Sequence, residues 1–349
     1  MTEPPRVSKR WRWPKLVLGL AVSLTFLWLL LKGIDPEGLR SSFVRLSVPH
    51  LLLALGFLAS GYAVRVVRWW WMLRAFEPEL KVSACFGPLL ASVAVNNVLP
   101  FRAGDVLRIF GFRRQLRSPA VRIFGTLVIE RLLDLQVLLA FFFAGLILLR
   151  GGDFSPGFVT FAVAAGGMAL VTTVALVLFS PRISGLVGWI ASRPSMSRRG
   201  WGDGLDRSGR QLGEALVLVR SPKRAAALVL LSLLAWTLEG AVFVTVAHTL
   251  ASGASPAGPW FALATGTLAT LLPSTPGYVG TFDFFAMQGL AAHGAGQEVS
   301  AAFALTVHAV LWVPITVAGL AFLLPRGRGL PSAWRPAPRE RDKGVVLDG

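Results

Sequence analysis

The fold is decided by the stretch NNVLPFRAGDVLR, residues 96–108, in which an apolar run that begins at Val82 comes to an end. Pro100 removes a backbone amide donor and breaks a helix, and Gly104 permits a turn after the break. Lys and Arg cluster on both sides of this run, at residues 65–81 and 102–122. Because loops rich in Lys and Arg stay in the cytoplasm, a simple crossing would place one cluster outside. The stretch therefore predicts a broken, re-entrant helix pair that enters and leaves the membrane on the cytoplasmic side.

The composition places the rest of the chain in a membrane as well. Its 349 residues are 54% hydrophobic, which is more apolar material than one soluble core buries. The formal net charge of +17 does not indicate nucleic-acid binding, because the basic residues lie between apolar runs rather than on a soluble face. Apolar runs, most of them near the roughly 20 residues that cross a bilayer, recur at 16–31, 49–64, 82–100, 123–149, 158–179, 225–250, 260–272 and 299–324.

The distribution of Lys and Arg predicts the orientation. The segments expected in the cytoplasm are the N-terminus, 65–81, 102–122, 182–224 and 326–343. Loops poor in positive charge, expected outside, lie at 32–45, 150–153 and 251–259. The first apolar run lacks an A-x-A-like cleavage site, so we interpret it as an uncleaved helix. We expect a protein of the cytoplasmic (inner) membrane. Its expected parts are a basic cytoplasmic N-terminus (1–15), a membrane domain (16–324) with a basic loop (181–224), and a cytoplasmic Pro- and Arg-rich tail (325–349).

A short motif recurs in the second half of the chain. Leu99-Pro100-x-x-x-Gly104 returns as Leu272-Pro273-x-x-x-Gly277, and the same offset carries the run 123–149 onto the region of 299–324. We predict two repeats, at about 49–149 and 225–324, each formed by a helix, a Pro/Gly-broken re-entrant hairpin and a helix. The single crossing 158–179 between them makes the repeats inverted. The predicted fold class is an all-α polytopic membrane bundle with about six full spans and two broken segments, or eight spans by simple counting.

The second broken segment holds Pro273, Pro276, Gly277 and Gly280 within one stretch of membrane. That density is incompatible with an ordinary spanning helix. Non-helical backbone at membrane depth is tolerated only where protein buries it or a wet cavity borders it. Broken segments in matching positions of inverted repeats indicate a transporter site near the midplane. We therefore expect both broken segments to line a cavity.

Charged residues also occur inside the run 123–149. Glu130 lies about 12 Å along a helix that begins near Arg122, close to the centre of a hydrocarbon layer about 30 Å thick. A charge there costs at least about 2.5–3.5 kcal/mol, so it faces protein or water and is paired. Glu130 and Asp134 share a helix face, and Arg131 and Asp134 are spaced to meet. A structural ion pair and a functional site are the two interpretations.

Backbone amides freed at the first break, with Arg102 and Arg108 close by, form a concavity suited to a lipid phosphate. Asp105 is spaced three residues from Arg108, so these two side chains pair in an alternative arrangement. For Asn96 and Asn97 we favour hydrogen bonds to the open backbone over contact with a head group.

Other polar residues have simpler interpretations. Glu239, in the run 225–250, is a candidate acidic partner for an arginine of the first repeat. His248 and His308 are interpreted as hydrogen-bonded interhelical residues rather than ligands. At the end of the second helix, snorkelling and an interfacial aromatic belt account for Arg65, Arg68 and Trp69-Trp70-Trp71.

Motifs for nucleotide or metal chemistry are missing from the sequence. There is no G-x4-G-K-[ST] phosphate loop, no H-E-x-x-H and no Cys/His metal spacing. The single cysteine, Cys85, lies in an apolar stretch and is interpreted as a small buried hydrophobe. We expect no cofactor, no metal and no catalytic residue.

With these motifs in place, the chain resembles the flippase-like family typified by the transmembrane region of lysylphosphatidylglycerol synthase, the multiple peptide resistance factor of bacteria. The resemblance rests on the residues Asn97-x-Leu-Pro-x-Arg-x-Gly-Asp-x-x-Arg108, Glu130-Arg-x-x-Asp134 and Pro276-Gly-x-x-Gly-x-x-Asp283, in that order across roughly residues 15–325. Asp105 and Asp283 stand where glutamate is common in the family. The resemblance implies movement of a phospholipid or related amphiphile between leaflets. Only a short tail follows Leu324, so we do not expect this chain to aminoacylate lipid.

The expected function is a lipid flippase or transporter. A lipid phosphate is expected to be held by Arg102, Arg108 and Arg131, with Glu130 and Asp134 positioning those arginines. The alternatives are a membrane-embedded lipid-modifying transferase and a non-transporting membrane partner of a lipid synthase or glycosyltransferase. The expected partners are anionic or phosphate-bearing membrane lipids and not nucleic acid, and a homo-oligomer is a further alternative.

Overall fold

The computed structural model describes residues 12–149, Gly167 and 221–325. Within these ranges the chain forms ten α-helices and no strand, in agreement with the predicted all-α class. In chain order the helices are α1 (Arg12–Leu31), α2 (Pro36–Val44), α3 (Val48–Arg74), α4 (Ser83–Val98), α5 (Ala103–Gly111), α6 (Ala120–Ile147), α7 (Pro222–Thr249), α8 (Gly258–Ala269), α9 (Thr281–Ala291) and α10 (Gln297–Leu323), with a 3-10 turn at Pro276–Tyr278. The predicted crossing 158–179, most of the basic loop 181–224, the N-terminal residues 1–11 and the tail from 326 lie outside the described residues.

Three of the described helices, α3, α7 and α10, are long and apolar enough to cross a membrane by length and composition. Residues 17–31 of α1 together with α2 form a fourth candidate, bent by 86°. The 28-residue helix α6 is also long enough, but it carries Glu130, Arg131 and Asp134 along its length. The chain is therefore a multi-pass helical membrane protein, and the predicted number of spans stays a prediction.

The segment 32–45, predicted as an outward loop, contains the helix α2. Asp35 caps this helix, because its Oδ2 accepts a hydrogen bond from the Gly38 amide at 2.8 Å, and Pro36 occupies the first turn. α2 packs against α10. The segment has few apolar side chains, so its hydrophobic pattern gave no sign of a helix, whereas the Asp-Pro pair that starts it was a readable signal.

The chain reverses direction at both predicted breaks. In the first hairpin, α5 packs back on α4, and the Gln115 side chain donates a 2.9 Å hydrogen bond to the Ala84 carbonyl near the start of α4. In the second hairpin, α9 packs back on α8, and the Ser255 amide donates to the His293 carbonyl at 2.9 Å. Each short helix pair therefore returns to the level at which it began.

The two hairpins are held between the long helices. α3 packs along α7, α4 along α10, and α6 along α8. Phe243 of α7 lies near the middle of the core, with its ring centroid 5.9 Å from that of Phe303 on α10 and 6.4 Å from that of Phe282 on α9. The 3-10 turn of the second hairpin contacts α4 of the first. The tips of the two hairpins therefore meet inside the bundle.

Candidate functional site

A cavity of about 600 Å³ lies where the two hairpin tips meet. Both breaks contribute to its walls, and α1 closes one side. Its lining residues are Leu18 and Gly19 of α1, Asn96 and Leu99–Arg102 of the first break, and Thr270–Pro276 and Tyr278 of the second. Of the residues expected to line a cavity, Asn96, Pro100, Pro273 and Pro276 lie on the wall, whereas Asn97, Gly104, Gly277 and Gly280 do not. The lining is mostly apolar, with a few convergent polar groups, which is the usual character of a ligand site.

The first tip is the turn between α4 and α5, and Asn96 stabilises it. After Val98 the chain turns extended at Leu99, and Phe101 and Arg102 take left-handed φ values of 61° and 51°. The Asn96 Oδ1 atom accepts hydrogen bonds from the amides of Gly104 and Asp105, at 2.8 and 3.2 Å. This contact is the backbone role that we favoured from the sequence. Left-handed residues other than glycine are strained and cluster at functional sites.

The expected role of Gly104 in the turn is wrong. Gly104 has no positive φ, and the turn is made by the two residues before its helix. A Cβ atom on Gly104 would instead overlap the carbonyl oxygen of Ser92, on the opposite arm of the hairpin. The glycine is therefore needed for close approach of α5 to α4 rather than for conformational freedom. Asn97, next to the break, donates from Nδ2 to Thr316 Oγ1 of α10 at 2.8 Å, so the backbone role that we favoured for this asparagine is wrong.

The second tip is held by α1 and by a buried carboxylate. Gly277 and Gly280 have φ values of 75° and 82°, so the backbone there requires glycine. Ser23 of α1 accepts a hydrogen bond from the Thr275 amide at 2.9 Å. Asp283, which is fully buried, accepts from the Gly280 amide at 2.8 Å through Oδ2. Its other oxygen, Oδ1, lies 2.7 Å from Nδ1 of His308 on α10.

A network of buried ion pairs lies behind the cavity, between α3, α5 and α6. Arg68, which has no exposed surface, donates to Asp134 at 2.6 and 3.3 Å and to Ser232 Oγ at 2.7 Å. Trp236 Nε1 donates to the same carboxylate at 3.0 Å. Each charge therefore has an opposite charge and further hydrogen bonds, as burial in a low-dielectric interior demands.

Arg108 and Glu130 form the second pair of this network. Their hydrogen bonds are bidentate, at 3.1 and 2.8 Å, and Glu130 also lies 4.0 Å from Arg68. The guanidinium carbon of Arg108 lies 3.8 Å from the ring centroid of Trp69. This stacking on an aromatic face, in a site with 2% exposure for Arg108, joins α5, α6 and α3.

The snorkelling interpretation of the α3 end is wrong for Arg68 and Trp69. Both side chains are fully buried, because Arg68 pairs with Asp134 of α6 and Trp69 Nε1 donates to Thr126 Oγ1 of the same helix at 3.1 Å. Arg65 likewise turns inward and pairs with Glu239 of α7 at 2.6 Å. The prediction that Glu239 pairs with an arginine of the first half is therefore confirmed.

The remaining expected pairings differ from the sequence spacing. Asp134 is taken by Arg68, so the i, i+3 contact between Arg131 and Asp134 is replaced. Arg131 lies instead 3.3 Å from Asp105, which also accepts from Asn96 Nδ2 at 3.0 Å. The alternative pairing of Asp105 with Arg108 is not formed.

Of the three arginines expected at a phosphate, Arg102 alone lies on the cavity wall. Within residues 12–149 and 221–325, Arg102 has no acidic partner, whereas Arg108 and Arg131 are both engaged with carboxylates. In the same part of the chain, no three His, Cys, Asp or Glu side chains come together in a way that could hold a metal ion.

These features define a class: a multi-pass helical membrane protein whose paired broken helices enclose a partly polar cavity. The chain belongs to the family of the lysylphosphatidylglycerol synthase TM region, whose model matches residues 16–319. This membership confirms the resemblance seen in the sequence motifs.

Glycosyltransferase AglD of Haloferax volcanii is 25% identical over 377 residues, covering 98% of this chain and 59% of that protein. The chain therefore spans less than two thirds of that relative's length. No solved structure matches the chain. The family and this relative indicate a membrane role related to lipids.

Proposed function

We propose that the protein moves a phosphate-bearing amphiphile, such as a phospholipid, between the leaflets of the cytoplasmic membrane. Family membership supports a lipid as the ligand, and the cavity between the hairpin tips supplies a place for its polar end. The acyl chains stay in the surrounding lipid while the head group passes. The proposal makes the protein a transporter rather than an enzyme.

The observation that carries this proposal is the position of Arg102. It lies on the wall of a mostly apolar cavity without an acidic partner in the described part of the chain, next to a strained turn. A guanidinium in that position binds phosphate by charge-assisted, bidentate hydrogen bonds. The carboxylates Glu130 and Asp134 hold other arginines, Arg108 and Arg68, so their proposed role is to fix the helices that carry the cavity.

Two inverted repeats are part of the proposal. The offset that carries Leu99 onto Leu272 also carries α3, α4 and α6 close to α7, α8 and α10. The helix contacts are consistent with this correspondence of α4 with α8 and of α6 with α10, since α4 packs on α10 just as α8 packs on α6. Rocking of one repeat against the other would open the cavity to each leaflet in turn.

The orientation follows from charge. Lys and Arg are concentrated in the N-terminus, in the segments 65–81, 102–122 and 182–224, and in the tail. The positive-inside rule places such segments in the cytoplasm, which supports cytoplasmic N- and C-termini. In this arrangement the first hairpin enters from the cytoplasm and the second from outside. The tips then meet near the midplane, the expected level of a transport site.

Transport of a fluorescent phospholipid in reconstituted vesicles tests the proposal, with Arg102→Gln as the variant. Hydrogen bonds to charged groups contribute about 1.5–3 kcal/mol, so we expect movement to slow by about ten- to a hundredfold. Arg40→Gln is the matched control, because Arg40 is exposed on α2, 3.8 Å from Glu37, and its removal leaves the rate unchanged. Folded Arg102→Gln protein that moves lipid at the wild-type rate refutes the proposal.

The similarity to Glycosyltransferase AglD favours a second candidate, a non-transporting membrane partner of a glycosyltransferase. That function requires no lipid movement by the purified protein. Vesicles that contain folded wild-type protein but show no movement of any phosphate-bearing lipid would select it over the flippase.

A further inference from the structure

The buried carboxylates of the described residues differ in the partner that balances their charge. Three carboxylates are buried: Glu130, Asp134 and Asp283. Glu130 and Asp134 face guanidinium groups, which keep their positive charge at every physiological pH. Among the described residues, the only ionisable partner of Asp283 is the imidazole of His308, at 2.7 Å. Imidazole gains and loses its proton in the physiological range.

The charge of this pair therefore depends on one proton. With the proton bound, Asp283 and His308 are neutral as a pair, and without it they carry one negative charge. An uncompensated charge in a low-dielectric interior is strongly unfavourable. The structure, in which Asp283 is fully buried, thus favours the protonated pair, and loss of the proton favours arrangements that admit water. His308 keeps 15% of its side chain exposed, whereas Asp283 keeps 1%.

Asp283 also binds the backbone that forms the cavity wall. Its second carboxylate oxygen accepts the hydrogen bond from the Gly280 amide, at the end of the strained turn. Two residues before Gly280, Tyr278 lines the cavity and has a left-handed φ of 60°. The same carboxylate therefore binds the imidazole and fixes the backbone of the cavity wall.

Other titratable groups on the described elements packed against α9 and α10 do not contact this pair. Among their described residues, α8 has no charged or titratable side chain, and α4 contributes only Cys85. α7 contributes Glu239, which pairs with Arg65 of α3. The rest are Tyr278 of the turn, Lys32 after α1, Glu37 and Arg40 of α2, His50, Tyr62, Arg68 and Arg74 of α3, Lys223, Arg224 and His248 of α7, and Glu298 of α10 itself. None of them forms a salt bridge or hydrogen bond with Asp283 or His308 in the described part of the chain.

We propose that Asp283 and His308 together bind one proton, and that its binding and release couple movement of the cavity wall, and so of the lipid, to a proton gradient. The coupling to lipid rests on the proposed function, whereas proton binding by the pair does not. The ligand of this second site is the proton itself.

A pH difference across reconstituted vesicles tests the coupling. If one proton accompanies each lipid, a difference of one pH unit supports up to about tenfold steady-state lipid asymmetry. We expect this asymmetry with the wild type and its loss with His308→Gln, whose amide N–H still donates to Asp283 but carries no titrating proton. His293→Gln is the matched control, because His293 pairs with the Ser255 hydroxyl and not with a carboxylate; this variant keeps the asymmetry. Wild-type lipid movement that is indifferent to the gradient overturns the coupling and leaves the proposed function standing.

A spectroscopic measurement tests the pair without transport. The chain has four histidines, so single His→Gln variants assign every signal in a ¹⁵N-histidine spectrum of the purified protein. We expect the His308 ring to take up a proton during a pH titration, and Asp283→Asn to change the pH at which it does so. Asparagine retains an acceptor for the Gly280 amide, so the hairpin keeps its cap. A His308 titration that is identical in the wild type and Asp283→Asn overturns proton binding by the pair, even if lipid transport is observed.

Discussion

Replacing Glu130 by Gln removes the negative charge from the centre of the buried network. Arg108 would then remain 2% exposed, stacked on Trp69 but without a counter-charge. Removing one partner of a buried ion pair destabilises proteins by about 3–5 kcal/mol. Because Gln keeps one acceptor oxygen for Arg108, we expect the lower end, about 3 kcal/mol. For a chain of 349 residues that corresponds to a fall in the thermal midpoint of roughly 4 °C.

Thermal unfolding in detergent, followed by the fluorescence of the 12 tryptophans, measures this change. The variants Arg108→Met and Glu130→Gln/Arg108→Met complete a double-mutant cycle. Removing both charges leaves no buried ion unpaired, so the double variant is expected to recover at least about 1.5 kcal/mol relative to the sum of the single effects. Glu37→Gln is the control, because its side chain is 78% exposed in a 3.8 Å pair, and it leaves the midpoint unchanged. Wild-type stability of Glu130→Gln, or additive single effects, refutes the reasoning.

Two further predictions concern stability. Gly104→Ala opens the first hairpin and lowers the melting temperature, because the new Cβ meets Ser92. Gly56→Ala, with open space in the α3 interior, instead increases the free energy of unfolding by about 0.5–1 kcal/mol and so raises the melting temperature. Equal shifts in the two variants contradict the packing argument. Burial lowers the pKa of His293 below 6.5, so its neutral ring stabilises the fold above that pH and the stabilisation is lost as the pH falls below it. Melting curves at pH 7 and 5.5 are therefore expected to differ less for His293→Gln than for the wild type, and an equal difference contradicts this.

The sequence predicted the features that depend on local chemistry. Proline and glycine occur together at both breaks, so the positions of the two hairpin tips followed from Pro100, Pro273 and Pro276. Single prolines are tolerated inside helices, as Pro88 in α4 and Pro314 in α10 show. Intramembrane charge is expensive wherever it occurs, so the inward, paired state of Glu130 and Asp134 followed as well. The pairing of Glu239 with an arginine of the other half rests on the same argument.

What the sequence did not predict depends on helix rotation. Arg68 and Trp69 stand at the end of an apolar run, where an interfacial belt and a core position produce the same pattern. Only the packing of α3 against α6 and α7 decides between them. The partner of Asp134 likewise lies on another helix, and spacing along α6 favoured Arg131 wrongly. Gly104 was singled out correctly but for the wrong reason, because its neighbour Ser92 is distant in sequence from the turn.

The ion pairs of α3 have a consequence for how the protein is made. Arg65 and Arg68 leave the ribosome before Asp134 and well before Glu239, the residues that neutralise them. An unpaired arginine costs up to about 2.5–3.5 kcal/mol at the bilayer centre, so we expect α3 to insert less readily before these partners are made. We therefore expect α3 to integrate fully only after α6 and α7 have been synthesised.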